Sequence, residues 1–361
     1  RLAKYLSQLG LSTTSRGNPL PDAEKTQLIL DELAHDPLQT RGPWTVKEAL
    51  DLDGHKIGRK QISRVMHDFG DEGFNKRHPH AKKKLLRTPL TSVGPDEEWS
   101  MDGHDKLNKA GFGIYGIREK WSGNWLHYRV VPSNRYAAVV GVLFLECSKK
   151  RGGLRIPVQG SSDHRSEVRD AYAYQTSLRE MFAPDLLHAL VPSWAFLPSV
   201  RNITVESGWR VLFYSWGVNV LEFFNTGLFD GFFEAGNILH EQTSNWIWFP
   251  AIQKSLDRFC DQQNHHRVRK QRDKVLPSGG TPHDFYSNPA MYGGEPCLIP
   301  INTDVLDQLL GTCGEGYTKM RYVDEEFDEI ATGAYVAIGS PKITVENAWL
   351  VFRAMIVKMD D

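Results

Sequence analysis

The chain has 361 residues, of which 40% are hydrophobic and 24% are charged, a composition that is ordinary for a globular protein of two or three domains. No run of 18 or more apolar residues occurs, so no membrane span is expected, and the formal net charge of −1 excludes a uniformly basic nucleic-acid binder. The four cysteines are scattered without a C-x-x-C pair, which favours a reducing compartment over a disulfide framework.

Charge is distributed unevenly along the chain. Residues 56–87 hold ten Lys and Arg against three Asp and Glu, a local charge of +7. Residues 258–274 hold six against two, a local charge of +4, and residues 324–329 hold five acids. Two basic segments in a balanced chain predict a localised surface for a polyanion.

Residues 21–70 predict three short helices. The first covers 24–34, and the second begins at Thr45, where T-V-K-E has the pattern of a capping box. The third covers 58–69, and its apolar face is formed by Ile62, Val65, Met66 and Phe69. Facing away from that stripe are the candidate DNA contacts Arg59, Lys60 and Arg64. The segment is either a helix-turn-helix-like DNA-binding unit or a small helical bundle with a solvated charged face.

We predict four regions along the chain: an N-terminal helical domain at 1–75, a basic linker at 76–97, an α/β core at 98–275 and a small α+β appendage at 276–361. The linker contains Pro and basic residues without an apolar period, and its candidate phosphate contacts are Lys82, Lys83 and Lys84.

The core shows three strands in quick succession, then alternating helices and strands. The strands are predicted at 97–103, 111–117, 124–131 and 153–160, with a further apolar segment at 187–197. The helices are predicted at about 136–150, 166–182, 209–225 and 245–264. This order of elements matches a ribonuclease H-like domain, although order alone is evidence by analogy.

Three acidic residues lie where such a domain would bring them together. Asp102 ends the first strand, Asp163 ends the fourth, and Glu206 begins an apolar helix. Carboxylates that converge without an intervening cation repel each other, and hard divalent ions such as Mg²⁺ relieve that repulsion. Two such ions can activate a nucleophile and stabilise a leaving oxygen, so the pattern predicts phosphodiester chemistry.

Each acid also has an ordinary interpretation. An Asp before Gly, as at Asp102, commonly forms a turn, and Asp163 is placed to cap a helix. Glu206 and Arg210 have the i, i+4 spacing of an exposed ion pair. Glu167 competes with Glu206 as the third acid, although it lies only one turn beyond Asp163.

Several ordered stretches resemble the integrase core proteins of basidiomycete fungi, relatives of retroviral integrases and DDE transposases. The resemblance rests on WSMDGHDKL, GIYGIREKWSGNWLHYRVVPSNR, SSDHRSE, SVRNITVESGW, NHHRVRKQRDKVLPSGGTPHDFY and YGGEPCLIPI, within residues 55–355. It implies a ribonuclease H-like fold, two Mg²⁺ or Mn²⁺ ions, and Asp102, Asp163 and Glu206 as the acidic triad. It also implies DNA as the partner, a nuclear location and a homo-oligomer.

Two positions depart from the family pattern. Arg165 stands where that pattern has glycine, and Ser207 stands where it has arginine. Glycine serves where the backbone approaches a ligand, so Arg165 either clamps a phosphate or marks a copy that has lost catalysis. The basic segment after the core offers either a solvated helix end or further DNA contacts through Arg267, Arg269 and Lys270.

Overall fold

The computed structural model describes residues 20–69, 90–150, 154–163, 165–198, 202–272 and 274–360. The chain divides into two compact units, one of residues 1–87 with 214–219 and the other of residues 88–213 with 220–361. This division into two units does not test the four predicted regions, which stay a prediction. The candidate contacts Lys82, Lys83 and Lys84 lie outside the described residues.

Helices of the first unit are α1 (Asp22–Ala34), α2 (Pro43–Leu52) and α3 (Arg59–Phe69). They enclose a small apolar core formed by Ile29, Val46, Leu50, Ile57, Ile62, Val65 and Met66. The predicted capping box is wrong, because α2 begins at Pro43 with Gly42 as its N-cap. Phe69 is exposed at the end of α3, so it does not belong to the buried face that its spacing predicted.

The second unit is built on a five-stranded mixed sheet. Its strands are β1 (Glu98–His104), β2 (Gly113–Glu119), β3 (Trp125–Val131), β5 (Gln159–Ser162) and β6 (Trp194–Phe196). The short strand β4 (Arg155–Ile156) belongs to a second, smaller sheet. The order across the sheet is β3-β2-β1-β5-β6. β1 pairs antiparallel with β2 and parallel with β5, which pairs parallel with β6. This mixed sheet is consistent with the predicted ribonuclease H-like fold.

The predicted strand at 153–160 is two separate strands. β4 pairs with β7 (Ile299–Pro300) in a small second sheet, and only β5 joins the main sheet. Pro157 lies between them and has no N–H to donate to a ladder, so the strand breaks there.

Helices cover much of the remaining chain. They are α4 (Ala137–Lys149), α5 (Arg169–Phe182), α6 (Ile203–Leu212), α7 (Val218–Phe229), α8 (Ile238–His265), α9 (Pro282–Ser287), α10 (Thr303–Gly311), α11 (Gly314–Lys319), α12 (Glu325–Ala337) and α13 (Ala348–Asp360). A π-helical turn (Phe213–Gly217) interrupts the helix predicted at 209–225. α8 begins earlier than predicted because Asn237 caps it, accepting hydrogen bonds from the Leu239 and His240 amides.

The main core lies between one face of the sheet and α4 and α5. Trp99, Met101, Tyr115 and Ile117 face it from β1 and β2. The opposite face of these two strands packs against α6. None of the helices in the described part of the chain is long and apolar enough to span a membrane.

Candidate active site

Strand β1 places Asp102 on the face of the sheet that α6 covers. Side chains alternate along a strand, so Asp102 shares its face with Ser100 and His104, whereas Met101 points to the main core. All three polar side chains are buried, with Asp102 only 8% exposed. A carboxylate this deeply buried needs a compensating partner.

Trp209 of α6 provides that partner. Its indole Nε1 donates a hydrogen bond to Asp102 Oδ2 over 3.1 Å. The His104 ring stacks on Trp209 with 5.0 Å between the ring centroids, and its Nε2 has no hydrogen-bond partner among the described residues. Burial, followed by the charge of Lys106, lowers the pKa of His104 to about 4, so this imidazole is neutral at physiological pH.

Asp163 follows β5 directly, at the same end of the sheet as Asp102. The parallel ladder between the two strands ends with Ser100 opposite Ser161, and each aspartate lies two residues beyond that pair. Neighbouring strands lie about 4.8 Å apart, which makes these two carboxylates near neighbours at one edge of the sheet. Asp163 is 7% exposed. The convergence of the two carboxylates on one metal site stays a prediction.

Helix α6 brings Glu206 to the same region. Its apolar stripe is buried as predicted, with Val205, Trp209 and Leu212 each no more than 3% exposed. Glu206 itself is exposed. Both it and Arg210 are described by the structure, and they form no ion pair, so the i, i+4 pair that their spacing suggested is not formed. Asn202 is the N-cap residue of α6, although its side chain does not cap the helix.

Two residues, Asn202 and Arg118, fix the start of α6. Asn202 accepts a hydrogen bond from Ser100 Oγ and donates one to the Met101 carbonyl oxygen, so it ties the helix to β1. Arg118 of β2 donates from Nη1 to the Thr204 carbonyl oxygen over 2.7 Å and to Ser207 Oγ over 2.9 Å. An arginine at position 207 would face this guanidinium, which gives the departure at Ser207 a structural reason.

The three carboxylates interact electrostatically. Burial raises the pKa of Asp102 to about 7, and the charges of Asp163 and then Glu206 add to that effect. Burial and the charge of Asp163 raise the pKa of Glu206, while Arg165 and Lys106 oppose the rise. Perturbed carboxyl groups of this kind concentrate at functional sites.

The donor set suits a hard divalent cation, because three carboxylates repel each other and present only oxygen ligands. In the described part of the chain, however, no group of three His, Cys, Asp or Glu side chains is close enough to hold a metal ion. One oxygen of the set is already bonded, since Arg165 Nε lies 2.6 Å from Asp163 Oδ2. The carboxylates are therefore suitable ligands for the ion, but the guanidinium of Arg165 occupies one of their oxygens.

Sequence reasoning missed a set of charged and polar partners around these acids. Glu167, considered only as a third ligand, is buried and pairs with Arg135 Nη1 at 3.6 Å and with Arg165 Nη1 at 4.0 Å. Arg135 also pairs with Asp105, and Arg118 and Trp209 hold α6 and Asp102. Apart from Arg165 and Glu167, these partners are at least 30 residues apart in the sequence, and no local motif marks such pairs.

The predicted DNA contacts that the structure describes are divided between the two units. Arg59, Lys60 and Arg64 are exposed on α3, on the side away from its buried residues, as predicted. Arg267, Arg269 and Lys270 are exposed in the segment that follows α8. Arg165, in the second unit, forms an ion pair with Asp163 of the acidic triad.

Comparison with known proteins identifies the family. A family model described as an integrase core domain matches residues 91–291, more than half of the chain. The matched segment contains β1, β5 and α6, which carry or lead into the three acids. A search of curated proteins found no match. The chain belongs to the integrase core domain family.

Proposed function

We propose that the protein is a polynucleotidyl transferase of the integrase and transposase kind, which cuts phosphodiesters in DNA and joins DNA ends on a ribonuclease H-like core. One observation carries the proposal: Asp102 and Asp163 lie in and directly after two adjoining parallel strands, and the charges of Asp163 and Glu206 both act on Asp102. The substrates would be the DNA ends of a mobile element and a chromosomal target.

Asp102, Asp163 and Glu206 would hold two Mg²⁺ or Mn²⁺ ions, whose chemistry when bound is to activate an attacking hydroxyl and stabilise a leaving oxygen. The protein's own contribution is orientation. The Trp209 indole fixes one oxygen of Asp102, and Arg118 fixes the first turn of the helix that carries Glu206. Such fixed ligands cost no reorganisation during the reaction.

The exposed basic residues of α3 support a helix-turn-helix-like mode of DNA binding, and those after α8 support a second contact with the backbone. A nuclear location and assembly into a homo-oligomer belong to the same proposal, since two DNA ends must be joined to one chromosomal target. A basidiomycete source is proposed on the same resemblance.

The proposal is tested by incubating the protein with labelled double-stranded DNA and Mn²⁺ or Mg²⁺, and measuring nicked and joined products. We expect Asp163→Asn to lose at least about 100-fold in rate, because a metal ligand is removed. Asp185→Asn, which changes an exposed loop carboxylate, is the matched control and should retain the wild-type rate. The absence of any metal-dependent product from the wild-type protein would refute the proposal.

A second candidate function is favoured by the ion pair between Arg165 and Asp163. In this alternative the protein keeps the integrase fold as a non-catalytic DNA-binding or assembly protein. It would bind DNA in a fluorescence anisotropy titration with the same affinity in the presence and absence of divalent ions, and it would not cut that DNA. Stronger binding with Mn²⁺, or any Mn²⁺-dependent nicking, would contradict this alternative.

A further inference from the structure

We infer that Arg165 is an internal counter-ion of Asp163, which pairs with this carboxylate in place of a divalent cation and competes with that cation for the site. The inference rests on the proposed function and concerns what governs cation binding at its acidic triad. It starts from the placement of one guanidinium among several carboxylates.

Arg165 is bonded where a cation would bind. Its Nε donates to Asp163 Oδ2 over 2.6 Å, and its Nη1 lies 4.0 Å from Glu167 Oε1. The charges of Asp102 and Asp105 also act on this guanidinium. This guanidinium therefore compensates part of the negative charge of the acidic cluster, together with Arg135, which pairs with Glu167 and Asp105.

A divalent ion and this guanidinium cannot share the site. An ion on Asp163 would lie a few ångströms from Arg165, and the repulsion between the two positive charges is strong beside a carboxylate that is largely buried. Binding of the ion therefore requires Arg165 to leave Asp163. The affinity of the site for the ion is reduced by the free energy of that displacement.

The structure also provides a way for Arg165 to leave. Its side chain is 41% exposed, so rotation of the side chain alone can carry the guanidinium away from the sheet. Its backbone stays anchored, because the Arg165 amide donates to the Asp163 carbonyl oxygen over 3.0 Å. The displaced guanidinium then stands close to the site, free to bind a DNA phosphate in place of the carboxylate. Cation and DNA would thus favour each other's binding.

The test measures Mn²⁺ binding to DNA-free protein by the electron paramagnetic resonance signal of unbound Mn²⁺. We expect Arg165→Ala to bind Mn²⁺ at least about tenfold more tightly than the wild-type protein, because the competing charge is gone. Arg165→Gln, which keeps the length of the side chain, should show the same gain. Arg169→Ala removes an equal charge four residues away, paired with Asp170, and should stay within about twofold of the wild type.

The outcomes separate this inference from the function on which it rests. Equal Mn²⁺ affinity in the wild-type, Arg165→Ala and Arg165→Gln proteins would overturn the inference and leave the proposed function standing. No Mn²⁺ binding by any of them would overturn both. Adding Asp163→Asn to Arg165→Ala should abolish the gain in affinity. A gain that survives that second change would show that the ion binds elsewhere, against the inference.

Discussion

Asp102 is expected to destabilise the metal-free protein at neutral pH, and Asp102→Asn should relieve that effect. Burial, with added repulsion from Asp163 and Glu206, raises the pKa of Asp102 in the folded protein from 3.8 to about 7. The folded state therefore binds this proton more tightly than the unfolded state. The contribution of this proton to the free energy of unfolding is at its full value below about pH 4. It is lost as the pH rises towards 7 and changes little above pH 7.

The size of the effect follows from the pKa difference. Each pH unit between the two pKa values is worth about 1.4 kcal/mol, so the difference of about three units costs up to ~4 kcal/mol between pH 4 and pH 8. Solvent screening is slight because Asp102 is only 8% exposed. Asparagine keeps the shape without the charge, so Asp102→Asn should be more stable than the wild type at pH 8 and gain little near pH 4.

The assay is urea unfolding in a metal-chelating buffer at pH 5, 6, 7 and 8, with the free energy of unfolding taken from each curve. We expect the free energy of unfolding to fall with pH more steeply in the wild type than in Asp102→Asn. Part of the fall is common to both proteins, because burial raises the pKa of Glu119 to about 8. Asp185→Asn, at an exposed position, should run parallel to the wild type. If Asp102→Asn also runs parallel to the wild type, the carboxyl is not buried among repelling acids and the reasoning about the site is wrong.

Three further changes test the contacts around Asp102. Gly116→Ala would place a methyl 2.5 Å from the ring of Trp209 and should lower the free energy of unfolding, measured by urea unfolding, by about 1–3 kcal/mol. The control is Gly333→Ala in α12, where the methyl meets open space, and it should be neutral or stabilising by up to about 1 kcal/mol. Trp209→Phe removes the N–H that stabilises the charged form of Asp102, so the pKa of Asp102 in an NMR titration should rise, and an unchanged pKa would count against this bond. Asn202→Ala leaves buried groups of β1 without a partner and should lower the free energy of unfolding by about 1–3 kcal/mol while DNA affinity in an anisotropy titration stays the same.

The sequence predicted those features that depend on local periodicity. The stripe of Val205, Trp209 and Leu212 repeats at helical spacing, so the helix and its buried face were predictable, and Glu206 beside it was a defined candidate. The order of strands and helices predicted the arrangement of the sheet, in which the parallel pairing of β1 with β5 puts Asp102 and Asp163 at the same end of neighbouring strands.

The ends of helices and strands were less predictable than the elements themselves. At the start of α2, two sequence signals favoured different first residues. The capping-box pattern at Thr45 lies two residues after Pro43, and the proline occupies the first helical position, where its missing N–H costs nothing. The strand near Pro157 breaks because β4 pairs with a segment that lies more than 140 residues further along the chain. No local pattern reveals a partner that distant.

The charged partners of the site were the least predictable part. Arg118 reaches the first turn of α6 from β2, and Arg135 reaches Glu167 from the segment before α4. Each pair depends on the finished fold rather than on spacing in the sequence. The arginine at position 165 is a departure that the sequence shows, but its ion pair with Asp163 depends on the conformation of its side chain.

The central claim is that Asp102, Asp163 and Glu206 act as one catalytic unit on DNA. It is tested most directly by the rate of Mn²⁺-dependent nicking in Asp163→Asn, in Glu206→Gln and in the double variant. Groups that act as a unit are strongly non-additive, so we predict that each single change lowers the rate by at least about 100-fold and that the double variant is no slower than either. A wild-type rate in either single variant, or two losses that multiply in the double variant, would contradict the claim.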